Sequence, residues 1–431
     1  MISESVGVST SGHLTIGGAD CVELAKEYGT PLYVFDESSI VKACNDFKNS
    51  IDEYYDGNGK VLYASKAFSC KEMYRIIRSL GIGADVVSGG ELYTASEAGF
   101  DPSDIMFHGN NKTVSELEYA VNAGVGRIVV DNIFELERLQ VIAETADRTV
   151  SVLLRIKPGI DAHTHSFVLT GQIDSKFGFA LENGEAMEAA VRCLEYKNID
   201  LKGFHCHIGS QIFDTEPFEK AAETMIEFMD YFRDKTGVSL PELDLGGGFG
   251  VKYVENDGQI PFHEFMKHAS SALKKKASER EFPVPFVYIE PGRSIIAPAG
   301  ITLYTVGSIK TIENIRTYVA IDGGMTDNPR YALYQSEYTI EIANKADKPK
   351  DFVATVAGKC CESGDLIQEN APMQTPSVGD TMAVLTTGAY NYSMSSNYNR
   401  IPRPAAVMVN NGVGRVIINR ETYEDIIKND I

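Results

Sequence analysis

From Val61 to Ile289 the chain alternates between short β-prone runs and helix-length segments. The runs are Val61–Ser65, Ala84–Val87, Ile105–His108, Arg127–Val130, Val150–Ile156, Leu201–Cys206, Leu243–Leu245 and Phe286–Ile289. Each is short, apolar and rich in residues that suit a buried strand. Thr215–Lys235 is the clearest segment between them. It places Phe218, Ala222, Met225, Met229 and Phe232 on one stripe at helical spacing. Eight such repeats over about 250 residues predict a (β/α)8 barrel of the TIM type. A doubly wound open sheet would gather its ligand groups at one crevice. Here notable residues follow nearly every strand.

At 431 residues the chain exceeds one ordinary core, so two domains are expected. After Ala299 the texture changes to strand-like runs separated by turn residues. These are Ile301–Val306, Tyr318–Ile321, Tyr338–Ala343, Phe352–Val356 and Thr381–Leu385. Ala405–Val409 and Val413–Ile418 flank Asn410-Asn411-Gly412, a hairpin signal. At the other end, strand-like pieces such as His13–Ile16 precede Asp36-Glu37-Ser38-Ser39, which can cap a helix over Ile40–Asn49. The expected division is a barrel over 36–300 and a β-domain formed by 1–35 and 301–431.

A formal charge of −20 would repel phosphate backbones and excludes nucleic acid as an expected partner. No apolar run is long enough to span a membrane. Met1–Gly12 lacks the basic and apolar regions of an export signal. Cys21, Cys44, Cys70, Cys193, Cys206, Cys360 and Cys361 are odd in number and scattered, which predicts reduced thiols and a cytoplasmic location.

In a barrel, chemistry collects at the C-terminal ends of the strands. The first strand ends at Lys66, and burying an ammonium there requires a partner or a task. Either it snorkels at the rim, or its amine attacks a carbonyl or holds an aldehyde cofactor as a Schiff base. The second strand carries Asp85, the third leads into His108-Gly109-Asn110-Asn111-Lys112, and the fifth carries Arg155. The sixth gives His205-Cys206-His207-Ile208-Gly209-Ser210-Gln211, the seventh Gly246-Gly247-Gly248-Phe249-Gly250, and the eighth Glu290-Pro291-Gly292-Arg293. Glycines at a strand end let backbone N–H groups approach an anion, and barrels often bind phosphate after strands seven and eight. Arg293 adds a bidentate fork and Ser210 a hydroxyl. His205 and His207 point to one side of their strand, but third and fourth ligands at known spacing are missing, so no metal is expected. A Schiff-base lysine, an anion cradle, a stacking imidazole and a carboxylate at Glu290 together fit pyridoxal 5'-phosphate. Glu290 would face the pyridine nitrogen and keep it protonated.

With those residues placed, the chain resembles the fold-type III pyridoxal-phosphate-dependent decarboxylases, whose architecture is alanine-racemase-like. The resemblance covers nearly the whole chain. Tyr63-Ala64-Ser65-Lys66, His207-Ile208-Gly209-Ser210-Gln211, the glycine run and Glu290-Pro291-Gly292-Arg293 mark fold and cofactor. The stretch from Thr170 to Gly178, Cys361-Glu362-Ser363-Gly364-Asp365 and Thr387-Gly388-Ala389-Tyr390 point to the diaminopimelate branch. Lys157 departs from the family pattern, which often has a small residue or asparagine there.

The resemblance implies roles. Lys66 carries the cofactor and His207 stacks on it. Asp85, Ser210, Gly246, Gly247, Gly248, Gly292, Arg293 and Tyr390 belong to the cofactor site, with Arg293 and Tyr390 also beside the substrate. Arg330 and Tyr334 match the clamp for the far carboxylate of meso-2,6-diaminopimelate, and Glu362 matches its ammonium partner. Cys361 reaches the other subunit's site and acts as an acid, so a homodimer with shared active sites is expected. The implied reaction removes CO2 from the D-configured centre and yields L-lysine, the last step of lysine biosynthesis. Decarboxylation of another diamino acid, such as ornithine or arginine, is the competing expectation.

Overall fold

The structure, a computed structural model, describes residues 2–160 and 174–431. Residues 161–173, and with them 170–173 of the Thr170–Gly178 stretch, lie outside the described residues. Two compact units emerge: 1–43, 251–258 and 293–431 form one, and 44–250 with 259–292 form the other. Residues 36–43 and 293–300, which texture alone assigns to the barrel, group with the first unit. So does the excursion Val251–Gly258.

The second unit is a closed (β/α)8 barrel. Its strands are β1 (Gly59–Ala64), β2 (Gly83–Val86), β3 (Ile105–Phe107), β4 (Arg127–Val130), β5 (Val150–Lys157), β6 (Ile199–Cys206), β7 (Glu242–Asp244) and β8 (Phe286–Ile289). Neighbours pair in parallel, and β8 returns to β1 with Val287 opposite Gly59. A short strand, Phe179–Ala180, adds to the end of β5. Inside the barrel, Leu62, Met106, Val129 and Leu153 make one buried layer with Tyr288 packed against it, so the interior is filled core. Outside it, the helix Glu216–Thr236 buries the stripe seen in sequence, including Phe218, Met225, Met229 and Phe232. Phe218 stacks on Phe249 with ring centroids 5.1 Å apart. Each such buried side chain contributes roughly 1.5–3 kcal/mol.

Local chemistry sets the start of the helix after β1. Lys71–Ser79 is capped by Cys70, whose Sγ accepts from Met73 N at 3.5 Å, and the chain turns out of it at Gly81 with φ +70°. The helix therefore begins at Lys71, one residue after its cap. The residues between β1 and this helix, Ser65–Ala67, form a single 3-10 turn that holds Lys66.

The first unit is built on a mixed sheet. Its order is Leu366–Met373, Phe352–Ala357, Arg316–Ile321, Gly300–Ile312, Leu32–Asp36, Ala405–Asn410 and Val413–Ile418. Thr381–Val384 also pairs with Gly300–Ile312, and Ile340–Ile342 with Thr381–Val384. The hairpin at Asn411-Gly412 turns with positive φ at both residues, as its sequence requires. Leu32–Asp36 is a central strand that lacks an alternating pattern because all five residues are buried. Asp36 ends it and starts the next helix: Ser38 N and Ser39 Oγ donate to its carboxylate at 3.0 and 2.5 Å.

Candidate active site

Two clusters of functional side chains form, one in each unit. In the barrel, Lys66 lies just past β1 with its Nζ 3.5 Å from Asp85 Oδ2. Asp85 is fully buried on β2. Burial raises its pKa, opposed by the imidazole of His108 and the ammonium of Lys66. Ser65 Oγ lies within hydrogen-bond reach of Asp85 O at 2.7 Å and Glu91 Oε2 at 2.9 Å, which pins the turn carrying Lys66.

Glu290, one residue past β8, receives imidazoles from two other strands. His108 Nε2 lies 2.7 Å from Glu290 Oε1, and His205 Nε2 lies 3.4 Å from Oε2. Burial alone would raise the Glu290 pKa; the two histidines outweigh it and hold the carboxyl well below the usual range. His205, buried beside it, is driven down to about 3 by burial, so its ring is neutral at physiological pH. Asp244 at the end of β7 goes the other way. Burial and the neighbouring Glu290 charge push its pKa well up, while Gly246 N donates to its Oδ1 at 2.7 Å. The two carboxyls of this buried nest are thus pushed in opposite directions. His108, His205, Asp244 and Glu290 bring potential ligand atoms within 4.8 Å of one another. Sequence spacing could not show this gathering, because the four residues come from or follow four different strands.

The glycine run after β7 has specific backbone demands. A Cβ on Gly247 would sit 2.2 Å from Glu290 O, and Gly248 has φ +113°. Gly247 N donates to His207 Nδ1 at 3.2 Å, tying the ring to the run. Poor solvation, with Lys66 and Arg155 nearby in charge, keeps His207 neutral with a pKa well below the ordinary value. Ser210 is half-buried in the turn after β6, and Gly292 packs its Cα side against Ala64.

These residues suit pyridoxal 5'-phosphate. An ionised carboxylate matches a protonated ring nitrogen, a neutral half-open imidazole matches an aromatic face, and side-chain-free backbone matches a phosphate.

In the other unit, Arg293, Tyr253, Arg330, Tyr334, Tyr338 and Tyr390 form a cationic aromatic cluster. Arg293 Nη1 donates to Tyr253 Oη at 2.7 Å, and its guanidinium lies 4.6 Å from the Tyr390 ring centroid. Arg330 is 5% exposed and lies over Tyr253 at 4.8 Å and Tyr334 at 5.6 Å. Among the described residues Arg330 has no carboxylate partner, and its Nε has no hydrogen-bond partner. A buried guanidinium in that condition is suited to an incoming anion.

Cys361 and Glu362 are not brought to this cluster. Both are exposed, and among the described residues neither forms a hydrogen bond or ion pair with Arg330. Asn399 Oδ1 accepts from Cys361 N at 2.7 Å. Sequence reasoning missed Tyr253 and the work of His108 and Asp244. For His108 and Asp244 the available signal was their position at or just beyond a strand end; Tyr253, well past the end of β7, carried none.

The family of pyridoxal-dependent decarboxylases, through its pyridoxal binding domain, matches residues 37–297. Diaminopimelate decarboxylase of Halalkalibacterium halodurans is 48% identical over 425 residues, which cover 98% of this chain and 96% of that protein. The Bacillus subtilis diaminopimelate decarboxylase is 48% identical over 420 residues, covering 97% and 95%. The crystal structure of diaminopimelate decarboxylase from M. jannaschii in complex with L-lysine matches with a TM-score of 0.92 at 34% identity, covering 100% of this chain and 98% of that one.

Proposed function

The chain belongs to the pyridoxal-dependent decarboxylases and, within them, to the diaminopimelate decarboxylases, and on that basis we propose that it converts meso-2,6-diaminopimelate to L-lysine and CO2. Its cofactor is pyridoxal 5'-phosphate, which when bound supplies the electron sink for the pair left behind as the carboxylate departs. Lys66 would hold the cofactor through its aldehyde, with Asp85 beside it as the counter-charge. Glu290 would hold a protonated ring nitrogen, and His207 would offer its ring to the cofactor's aromatic face. Gly246, Gly247, Gly248, Ser210 and Gly292 receive the phosphate, with Arg293 and Tyr390 serving the phosphate and the substrate. The partner subunit's Cys361 returns a proton to the carbon that has lost CO2. This assigns a homodimer with shared sites and a cytoplasmic enzyme. No described helix is long and apolar enough to cross a membrane.

Buried Arg330, lacking a carboxylate partner among the described residues, is the observation that carries the substrate choice. A cationic diamine tail, as on ornithine, would meet repulsion there, whereas the far carboxylate of diaminopimelate meets a fork. Tyr334 supports that fork, and Glu362, adjacent to Cys361 and absent from this cluster within one chain, takes the far ammonium across the dimer. Arg330→Ala is expected to cost roughly 2–4 kcal/mol in transition-state binding of diaminopimelate, two to three orders of magnitude in kcat/KM. Weak turnover of ornithine should fall much less. Measuring kcat/KM for both substrates in both proteins decides the matter: equal losses would reassign Arg330 to the fold, and a wild-type preference for ornithine would reassign the substrate.

A further inference from the structure

Eight residues, Val251–Gly258, leave the barrel unit and belong to the other one, although the chain on both sides of them is barrel. The aromatic residue they deliver is Tyr253, which is 4% exposed. Its placement is tightly specified. Its backbone N donates to Asp257 Oδ2 at 2.8 Å, its carbonyl accepts from Thr339 Oγ1 at 3.0 Å, and the Tyr338 ring meets its edge at 5.6 Å. Its two ends then face two different cations. The hydroxyl accepts from Arg293 Nη1 at 2.7 Å, and the ring lies 4.8 Å from the Arg330 guanidinium and 6.0 Å from that of Arg293.

Two buried guanidinium groups sharing one neighbour repel each other. A phenol between them offers an oxygen lone pair to one and a π face to the other. The pressure on it is visible in its acidity: burial alone would raise the Tyr253 pKa, and Arg293 and Arg330 outweigh burial and lower it. Phenylalanine would keep the ring contacts and lose the hydrogen bond to Arg293, and an aliphatic side chain would lose both.

We propose that Tyr253 is a positioning residue that spaces Arg293 and Arg330, directing the first toward the cofactor phosphate through its hydroxyl and the second toward the substrate's far carboxylate through its ring. This deepens the function proposed above and rests on the anion assigned to each arginine.

Three probes separate the two ends of the residue. L-lysine carries a carboxylate for Arg330, cadaverine is the same chain without it, and pyridoxal 5'-phosphate added to cofactor-free protein reports on Arg293. Dissociation constants are measured for wild type, Tyr253→Phe, Tyr253→Leu and Arg330→Ala. Tyr253→Phe is expected to keep the preference for L-lysine over cadaverine within about twofold while binding the cofactor about tenfold more weakly. Tyr253→Leu should lose about tenfold of the preference as well. Phenylalanine fills nearly the same volume, so its arm decides the hydroxyl's role even if the leucine variant does not fold. An unchanged preference in Tyr253→Leu, with an unchanged cofactor affinity in Tyr253→Phe, overturns the inference when Arg330→Ala abolishes the preference. Equal weakening of all three ligands in both Tyr253 variants also overturns it, since a general structural defect does not discriminate among them. If Arg330→Ala leaves the preference intact, the carboxylate assignment of Arg330 has failed instead, and the cofactor arm still tests Tyr253 against Arg293.

Discussion

Glu290 and Asp244 are both carboxyl groups, both buried, and close neighbours at the barrel's strand ends, yet their pKa values move apart. The difference lies in what faces them: two imidazoles face Glu290, whereas Asp244 faces Glu290 itself and one backbone N–H. Lys66 is the residue on which the cofactor reading depends most directly. The native protein is expected to absorb near the visible edge, Lys66→Ala should lose that band, and borohydride reduction followed by peptide mapping should place the label on Lys66. A label on another lysine would displace the assignment. Asp327 in the other unit offers a pH test. Burial raises its pKa to about 7, against hydrogen bonds from Tyr304 Oη at 2.5 Å and Gly324 N at 3.0 Å. A folded-state value raised above the ordinary 3.8 means the group's contribution to stability is fully present below about pH 4 and is lost as pH rises through about 7. At about 1.4 kcal/mol per unit, that loss is on the order of a few kcal/mol. Apparent melting temperatures compared between pH 5 and pH 8 should therefore fall more steeply in wild type than in Asp327→Asn. Parallel slopes would mean that Asp327 titrates near its ordinary value when folded.

The strand ends are the elements on which the site is assembled, and they were the most legible part of the sequence. Short apolar runs broken by glycine, proline or a charged residue disclose both the strand and the place where chemistry hangs from it. Lys66, Asp85, Glu290 and the glycine run were readable for that reason. His108 was visible just past β3, but its partner Glu290 follows β8, and only barrel closure brings them to 2.7 Å. The same logic explains two missed strands. Leu32–Asp36 is buried on both faces and shows no alternation, and Leu366–Met373 carries Pro372 and three polar residues, Gln368, Glu369 and Asn370, in a strand paired with Phe352–Ala357. The glycine run also makes an element-scale prediction. Gly247→Ala puts a methyl 2.2 Å from a backbone carbonyl that has no rotamer with which to yield. The loop after β7 or the segment at Glu290 must shift, at a cost of about 1–3 kcal/mol. Cofactor affinity should fall along with the apparent melting temperature, because the same shift moves the glycine N–H groups and the Glu290 backbone. A variant with wild-type cofactor affinity and melting temperature would show that the run tolerates a side chain and is not a close-approach cradle.

At the scale of the whole molecule, the chain builds two units from discontinuous pieces, and sequence texture located the change of architecture without locating where the units part. Residues 36–43 look like the start of a barrel helix and 293–300 like the end of a barrel strand's loop, yet their contacts lie with the sheet. Val251–Gly258 is still less visible, since nothing in a short polar loop announces that its tyrosine belongs elsewhere. Cys361 presents the corresponding problem between chains. It is exposed, and its backbone hydrogen-bonds with Asn399 and Tyr398; among the described residues no hydrogen bond engages its thiol. If Cys361 serves the partner's Lys66, each active site contains one residue from each subunit. Lys66→Ala and Cys361→Ala homodimers then lack activity, but a hybrid of the two has one site with both lesions and one with neither. Random exchange makes about half of the dimers hybrids, each with one intact site of two, so activity should recover to about a quarter of wild type. If Cys361 instead serves its own chain, every site in the hybrid carries one lesion and nothing recovers. Native mass spectrometry establishes that exchange has occurred, and decarboxylation of diaminopimelate is then measured on the mixture. Confirmed hybrids that stay inactive would exclude a site shared across the dimer and would place the proton donor within the chain that holds the cofactor.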